Sequence, residues 1–463
     1  MQESNLASRW NILYWQCACL CVNAGNYVKD IEGDEEGEPE EVETVEEKTT
    51  KRAAPNYGKI AKAIADAQHE GVVIELPSIN EAQVDFVPDI ENNSIAYSLQ
   101  SINVVSQDLQ DAILSQRPFT SIEDFIERVQ PTIVQMTGLI KSGCFDRLCK
   151  KDRRAIMGDY LRLLAQKECP PKDKLTTVQL KKALELNISL PGFTTEIRLF
   201  KYKKYIDVKQ ADKVNKRYIL TEPGCIKFFK DYLESDFNLS KGEYDYLPEG
   251  KVMVKESAFK RVFDKKISAI MDYLNTDEGK AAYQNLVQSD YINGIKEKYC
   301  QGTLSAWEME TMSFYFSGHE LKNLNYGQYG CKSFFSLPEY STSADMCAIA
   351  GTVTDYNNTK HIVSLLTPEG IVDVKFFKDV YARYNRKISV IDKKTNKKTV
   401  IEDSWFKRGT KIIVYGLRKE NMFHCRSFRF STDYGTRVRM VGLIDKIYDS
   451  GLADIKFQRA QAS

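Results

Sequence analysis

The sequence predicts a multidomain α+β protein in which a mostly helical region precedes a five-stranded β-barrel. Two observations carry this. Residues 98–165 place apolar side chains at helical spacing behind capping signals, and residues 346–445 switch to period-two alternation in five short runs. A third, an acid-rich stretch at 30–56, divides a first short helix from everything that follows.

In chain order, residues 1–29 read as the stub of a helix, with Trp10, Leu13, Tyr14, Cys17 and Leu20 or Cys21 along one face. Residues 30–56 lack the apolar groups a core needs and read as a disordered linker. Residues 57–95 begin with a helix at 57–70, buried through Ile60, Ile64 and Ala67 and ended by Gly71; extended pieces follow at 72–76, 83–87 and 94–97. Residues 96–165 are helical. Thr120 to Asp124 supplies an N-cap with acids in the first turn, and Phe125, Ile126 and Val129 supply the apolar face. Residues 166–340 read as a mixed, mainly helical connector, with helices at 176–187, 225–235, 256–274 and 278–298 and β-like pieces at 218–220 and 252–254. The five strands of 346–445 are 346–354, 360–367, 371–377, 410–418 and 422–428. A helix near 378–384 after the third strand gives the chain order of an OB-type barrel. Residues 446–463 remain as a tail.

Composition excludes several classes. No apolar run reaches the roughly 18 residues of a membrane span, and the apolar stretch 12–24 lacks the basic start of a signal peptide. Both point to an intracellular, cytoplasmic protein. None of the eleven cysteines forms a Cys-x-x-Cys pair and there are four histidines, so no metal site is expected; Cys17, Cys19 and Cys21 read as small buried hydrophobes. The net charge of +1 hides an asymmetry. Asp30 to Glu47 holds eleven acids and no base, so the remainder sets 65 bases against 53 acids. Residues 345–441 alone hold 19 bases and 10 acids, a balance suited to a polyanion.

Three regions carry candidate chemistry. The first is a pair of helix–hairpin–helix elements, one around Ser106 and one at Lys141-Ser142-Gly143. Backbone N–H groups in such hairpins can face phosphates, and glycine lets the backbone approach; taken alone, the residues favour a plain packing bundle over a DNA clamp. The second, Trp307 to Leu321, reads as a helix closing on a Gly318 cap with Phe314 and Tyr315 packed. The third is the barrel. Alternation puts Lys375 and Phe377 on one face, Lys411 and Tyr415 on one face of the fourth strand, and His424 and Arg426 on the fifth. Rings among cations suit single-stranded DNA. A basic hairpin with Lys393, Lys394, Lys397 and Lys398 lies between helix and fourth strand.

These regions, in this order, resemble the C-terminal portion of the bacterial-type (C-family) DNA polymerase III alpha subunit, in a split or phage-type version. Leu76 to Asn80 and Asp85-Phe86 resemble the end of the family's fingers. Ala96-Tyr97 to Phe119 with Ile122 to Phe125 resembles its first hairpin region, and Leu139 to Leu148 its Leu-Ile-x-x-Gly-Ala-Phe-Asp segment. Ser317-Gly318-His319-Glu320-Leu321 resembles its Ser-Gly-His-Pro-Leu motif. Ile349 to Val353 and Val374 to Phe377 resemble its OB domain. Asn103 and Val105 depart from it, standing where the family has Lys and Gly. The resemblance implies a DNA-binding part of a replicative DNA polymerase, a nucleotidyltransferase whose partners are single-stranded template, primer–template duplex and a sliding clamp. Gln301 to Leu304 is a poor match to the clamp-binding peptide. The family's palm aspartates have no counterpart in these residues, so the resemblance implies a separate palm-bearing chain that holds Mg²⁺, and no cofactor here. The alternative is a stand-alone single-stranded DNA-binding or replisome scaffold protein.

Overall fold

The computed structural model describes residues 12–26, 55–190, 192–209, 211–212, 217–220, 222–232, 238–391, 398–432 and 435–460. Trp10, the acidic run Asp30 to Glu47, and Lys393, Lys394 and Lys397 lie outside them. The chain divides into two compact units, one of residues 1–158 with 299–463 and one of residues 159–298. The expected connector 166–340 is therefore split, with 299–340 belonging to the first unit.

The first unit opens with α1 (Ile12–Cys21), which buries Leu13, Cys17 and Leu20, and α2 (Tyr57–His69), which buries Ile60, Ile64 and Ala67. The Asn56 side chain caps α2 by accepting from the Lys59 N–H at 3.1 Å, and the Asn56 N–H donates to the Asn23 carbonyl at 2.9 Å. A small sheet of β1 (Val73–Glu75), β2 (Val87–Asp89) and β3 (Ser94–Ala96) follows in the order β1-β3-β2. The hairpin region is α3 (Gln107–Gln116), α4 (Ile122–Val129), α5 (Ile133–Lys141), α6 (Asp146–Cys149) and α7 (Arg153–Glu168). Ser106 caps α3, Ser121 caps α4, and Thr132 with Gln135 forms a capping box on α5. Phe119, Phe125 and Phe145 pack edge to face at 4.9 and 5.1 Å between centroids.

The second unit holds α8 (Thr177–Glu185), α9 (Thr194–Lys209), α10 (Pro223–Tyr232), α11 (Glu256–Leu274) and α12 (Asp277–Tyr299). Its antiparallel sheet has the order β4-β5-β7-β6, from β4 (Ala211–Asp212), β5 (Arg217–Leu220), β6 (Tyr244–Tyr246) and β7 (Val252–Lys255). Tyr218, Phe228, Phe229, Phe259 and Phe263 fill its core.

After α13 (Leu304–Met312) the first unit ends in the barrel. Its ring strands are β8 (Cys347–Asn357), β9 (Ile362–Thr367), β10 (Gly370–Lys375), β13 (Lys411–Lys419) and β14 (Met422–Cys425). β8 pairs antiparallel with β9 and β13, β9 with β10, and β13 with β14; β14 closes the ring on β10 in parallel. This is a closed five-stranded barrel of OB type, as expected. Gly416 is required at the β13–β14 crossing, since a Cβ there would stand 2.1 Å from the His424 carbonyl oxygen. Helix α14 (Lys378–Asn385) follows β10, and its Val380, Tyr381 and Tyr384 pack with Phe376, Trp405 and Phe406. Two further antiparallel pairs form sheets of their own, β11 (Ile388–Ile391) with β12 (Lys398–Glu402) and β15 (Phe428–Thr432) with β16 (Gly435–Arg439). The expected tail is partly structured: β17 (Val441–Ile447) pairs with β13, and β18 (Ala453–Lys456) pairs with β17. Among the described residues no helix is long and apolar enough to cross a membrane.

Candidate nucleic-acid interface

The hairpins come first. A helix leaves its last carbonyls without partners, and those of α13 are met by the first hairpin. Asn103 donates its backbone N–H to Thr311 O at 3.0 Å and its side-chain amide to Glu310 O at 2.6 Å; the Tyr97 hydroxyl donates to Met312 O at 3.1 Å. Val104 fills the space beside Gly138, where a Cβ would lie 2.5 Å from it. Ser106 is exposed, and its hydroxyl oxygen accepts from the Leu109 N–H at 3.4 Å.

The second hairpin corrects the sequence reading. Lys141 is buried, with its ammonium 2.7 and 2.8 Å from the two Glu310 carboxylate oxygens. Ser142 is buried and donates to Leu139 O at 2.9 Å. The Gly143 N–H donates to Ile140 O at 3.0 Å, and a Cβ on Gly143 would meet the Arg153 guanidinium at 2.9 Å. These three residues, expected to face phosphate, have their polar groups turned into the protein.

Beneath them lies a buried network. Glu308, fully buried, accepts from Arg153 Nη1 and from the backbone N–H groups of Phe316 and Ser317, all at 2.7 Å. Arg153 also donates to Asp146 at 2.7 Å. The expected cap at Gly318 is corrected too: α13 stops at Met312, with Ser313 in the left-handed region (φ 63°), while Phe314 and Tyr315 are buried as expected. His319 ties this segment to the barrel through a 2.9 Å bond to Leu366 O, and its Nδ1 accepts from the Leu321 N–H at 3.0 Å. The ring is thus the neutral Nε2–H form, and burial pushes its pKa down to about 4.

The barrel presents the opposite arrangement. On β10 and β14 the inward residues Val372, Val374, Phe423 and Cys425 lie in the core, and Lys375 is paired across from His424. Outward lie Lys375, His424 and, just past the strand ends, Phe377 and Arg426. Phe377 is 56% exposed, and the Arg426 guanidinium sits 4.6 Å from its ring centroid. The Lys375 ammonium donates to Lys360 O. Burial, then the charges of Arg426, Lys419 and Lys375, hold His424 below the ordinary imidazole range, a sign of how positive this face is. Lys419 belongs to this group although the alternation pattern did not single it out.

Two further barrel expectations are corrected. Tyr415 is buried, with its ring stacked on Phe428 at 5.5 Å and 13° and its hydroxyl donating to Tyr329 O at 3.3 Å. Lys411 is ion-paired with Glu320 at 3.3 Å. β13 is covered on both faces, because Leu321, Leu324 and Ile444 pack on the side that alternation left open. Lys398 is exposed at the start of β12.

Comparison with known proteins adds two findings. Residues 71–156 match the helix-hairpin-helix motif family. The whole chain aligns over 487 positions at 34% identity with a protein named "Probable DNA polymerase YorL" from Bacillus subtilis (strain 168), and with the same figures to the "DNA-directed DNA polymerase" of Bacillus phage SPbeta. The chain spans about a third of the length of these relatives, 34% in each case.

Proposed function

We propose that this chain is the DNA-binding part of a replicative DNA polymerase, working with a separate chain that carries the palm aspartates and their Mg²⁺. Single-stranded template lies on the β10–β14 face of the barrel. Phe377 offers the open side of its ring to a base, Arg426 holds the other side, and Lys375, Lys419 and His424 surround it. Stacking is sequence-tolerant because every base has a π-face, and the cations meet phosphates whatever the sequence. The observation that carries the reading is the exposed Phe377 ring under Arg426. The polymerase names of relatives matched along the whole chain support it. The hairpin region then acts as a scaffold that seats the barrel.

The test is co-purification with a palm-bearing chain, then primer extension by wild type and by Phe377→Ala with Arg426→Ala. The reconstituted wild type should extend a primer and the variant should lose template affinity. Equal extension and equal affinity for both would overturn the placement of the template. Primer extension by this chain alone, freed of contaminating polymerases, would overturn the division of labour.

A further inference from the structure

Between the first hairpin and the barrel lies a cleft of about 850 Å³ whose two walls differ in character. The barrel wall carries Lys387, Lys407 and Arg408, with the half-exposed ring of Tyr356 beside them. Lys387 and Lys407 share one carboxylate, Asp403, at 3.5 and 3.1 Å, and both side chains are 67% exposed. Arg408 rests 4.4 Å over the Tyr57 ring, a partner that leaves its charge uncancelled. The facing wall carries Asn103, Glu310 and Glu320. Those carboxylates are held in place, Glu310 by Lys141 and Glu320 by Lys411 and the Thr303 hydroxyl.

The cationic wall is braced from behind. Arg459, in the segment after β18, is only 6% exposed. Its guanidinium donates to the carbonyls of Tyr384, Arg386 and Asp403 at 3.0, 2.7 and 2.7 Å and pairs with Glu402 at 3.0 Å. It thereby ties both roots of the β11–β12 ribbon to the end of α14. Helix α14 runs from the Phe377 cap to Asn385, which lines the cleft. Eight residues span about 12 Å, so the open ring and the cleft mark the two ends of one short helix.

We propose that this cleft holds a continuation of the same single strand, with phosphates on the Lys387, Lys407 and Arg408 wall and base edges toward Asn103 and Glu310. This rests on the reading of the barrel as a DNA-binding face. Carboxylates accept from the exocyclic amino groups of bases and an amide side chain pairs with base edges, whereas an acidic peptide would meet repulsion from the glutamate wall. A strand is favoured over a duplex because only unpaired bases offer a free face for Tyr356 to stack on.

The experiment uses the full chain and single-stranded oligodeoxynucleotides carrying 5-iododeoxyuridine, photocrosslinked and mapped by mass spectrometry, beside a salt titration of affinity. Crosslinks are expected at Phe377 and also at Tyr356 or within residues 403–410. Lys387→Ala with Lys407→Ala should remove the second set, keep the first, and lower the slope of log affinity against log salt by about 1.4, at roughly 0.7 per phosphate contact. Arg459→Gln should weaken the cleft crosslinks while sparing Phe377. Crosslinks confined to Phe377, with the slope unchanged in the double variant, would overturn the cleft and leave the barrel face standing. Displacement of the oligonucleotide by polyglutamate as readily as by unlabelled DNA would also overturn it. Failure to bind single strands at all would overturn both readings.

Discussion

Lys141 and Arg426 are both cations just past or at the end of a short element in the same unit, and both stand in regions whose sequence suggests contact with DNA. Lys141 is 4% exposed and locked onto Glu310, in a hairpin whose hydroxyl and glycine N–H are also taken. Arg426 lies over a ring that is still half open to solvent. The same residue types serve cohesion in one place and offer a surface in the other. What separates them is whether another part of the chain arrives to cover them.

The largest way to test that contrast is Glu308→Ala. It leaves the buried Arg153 with Asp146 alone and the N–H groups of Phe316 and Ser317 without their acceptor, and breaking a buried pair costs about 3–5 kcal/mol. Denaturant unfolding followed by Trp307 fluorescence should show a loss of that order; a loss below about 1 kcal/mol would mean the network is not a structural keystone. Next, Lys141→Ala with Ser142→Ala should lower the free energy of unfolding by about 1–3 kcal/mol, the scale of a lost hydrogen bond to a charged group together with a neutral one. The salt slope of the folded variant should stay unchanged, since neither side chain faces phosphate. A flattened slope would return the second hairpin to the DNA interface.

Phe377→Ala should act the other way round, weakening single-strand binding by about 1–3 kcal/mol with the unfolding midpoint unmoved. The smallest effect concerns pH. Burial alone would raise the Glu402 carboxyl, but bonds from Lys456, the Ala460 N–H, Arg459 and Trp405 outweigh it and hold the pKa at about 2, below the ordinary 4.5. With the folded value depressed, the stabilisation is fully present above about pH 4.5 and is lost as pH falls toward 2. Protection of the β11 and β12 amides against hydrogen exchange, taken relative to the intrinsic rate at each pH, should therefore fall only in that acid window. Unchanged protection down to pH 2, or protection already lost at neutral pH, would contradict the role of Glu402.

Much of the fold is legible in the sequence because its signals are local. Alternation along Ile371 to Phe377 separates the buried Val372, Val374 and Phe376 from the outward Lys375 and Phe377, and Ile60, Ile64 and Ala67 fall inside as their spacing requires. The errors share one cause, a partner far away in the chain. Lys141 is covered by a glutamate 169 positions later. Tyr415 is covered by Phe428, Tyr329 and residues beyond 440 that join as additional strands. No window of a few residues reports such arrivals. Arg459 went unnoticed for the same reason, since its worth lies in carbonyls more than 50 positions upstream.

The division of the first unit by residues 159–298 sets a clock on its assembly. Arg153 leaves the ribosome 155 residues ahead of Glu308. At about 5–20 residues per second, the guanidinium waits on the order of 10 s for Glu308, and Lys141 as long for Glu310. Through that interval Arg153 has Asp146 as its carboxylate, while Lys141 has yet to meet the one that covers it. The second unit is contiguous in sequence, so every residue it needs has been made before Glu308 emerges.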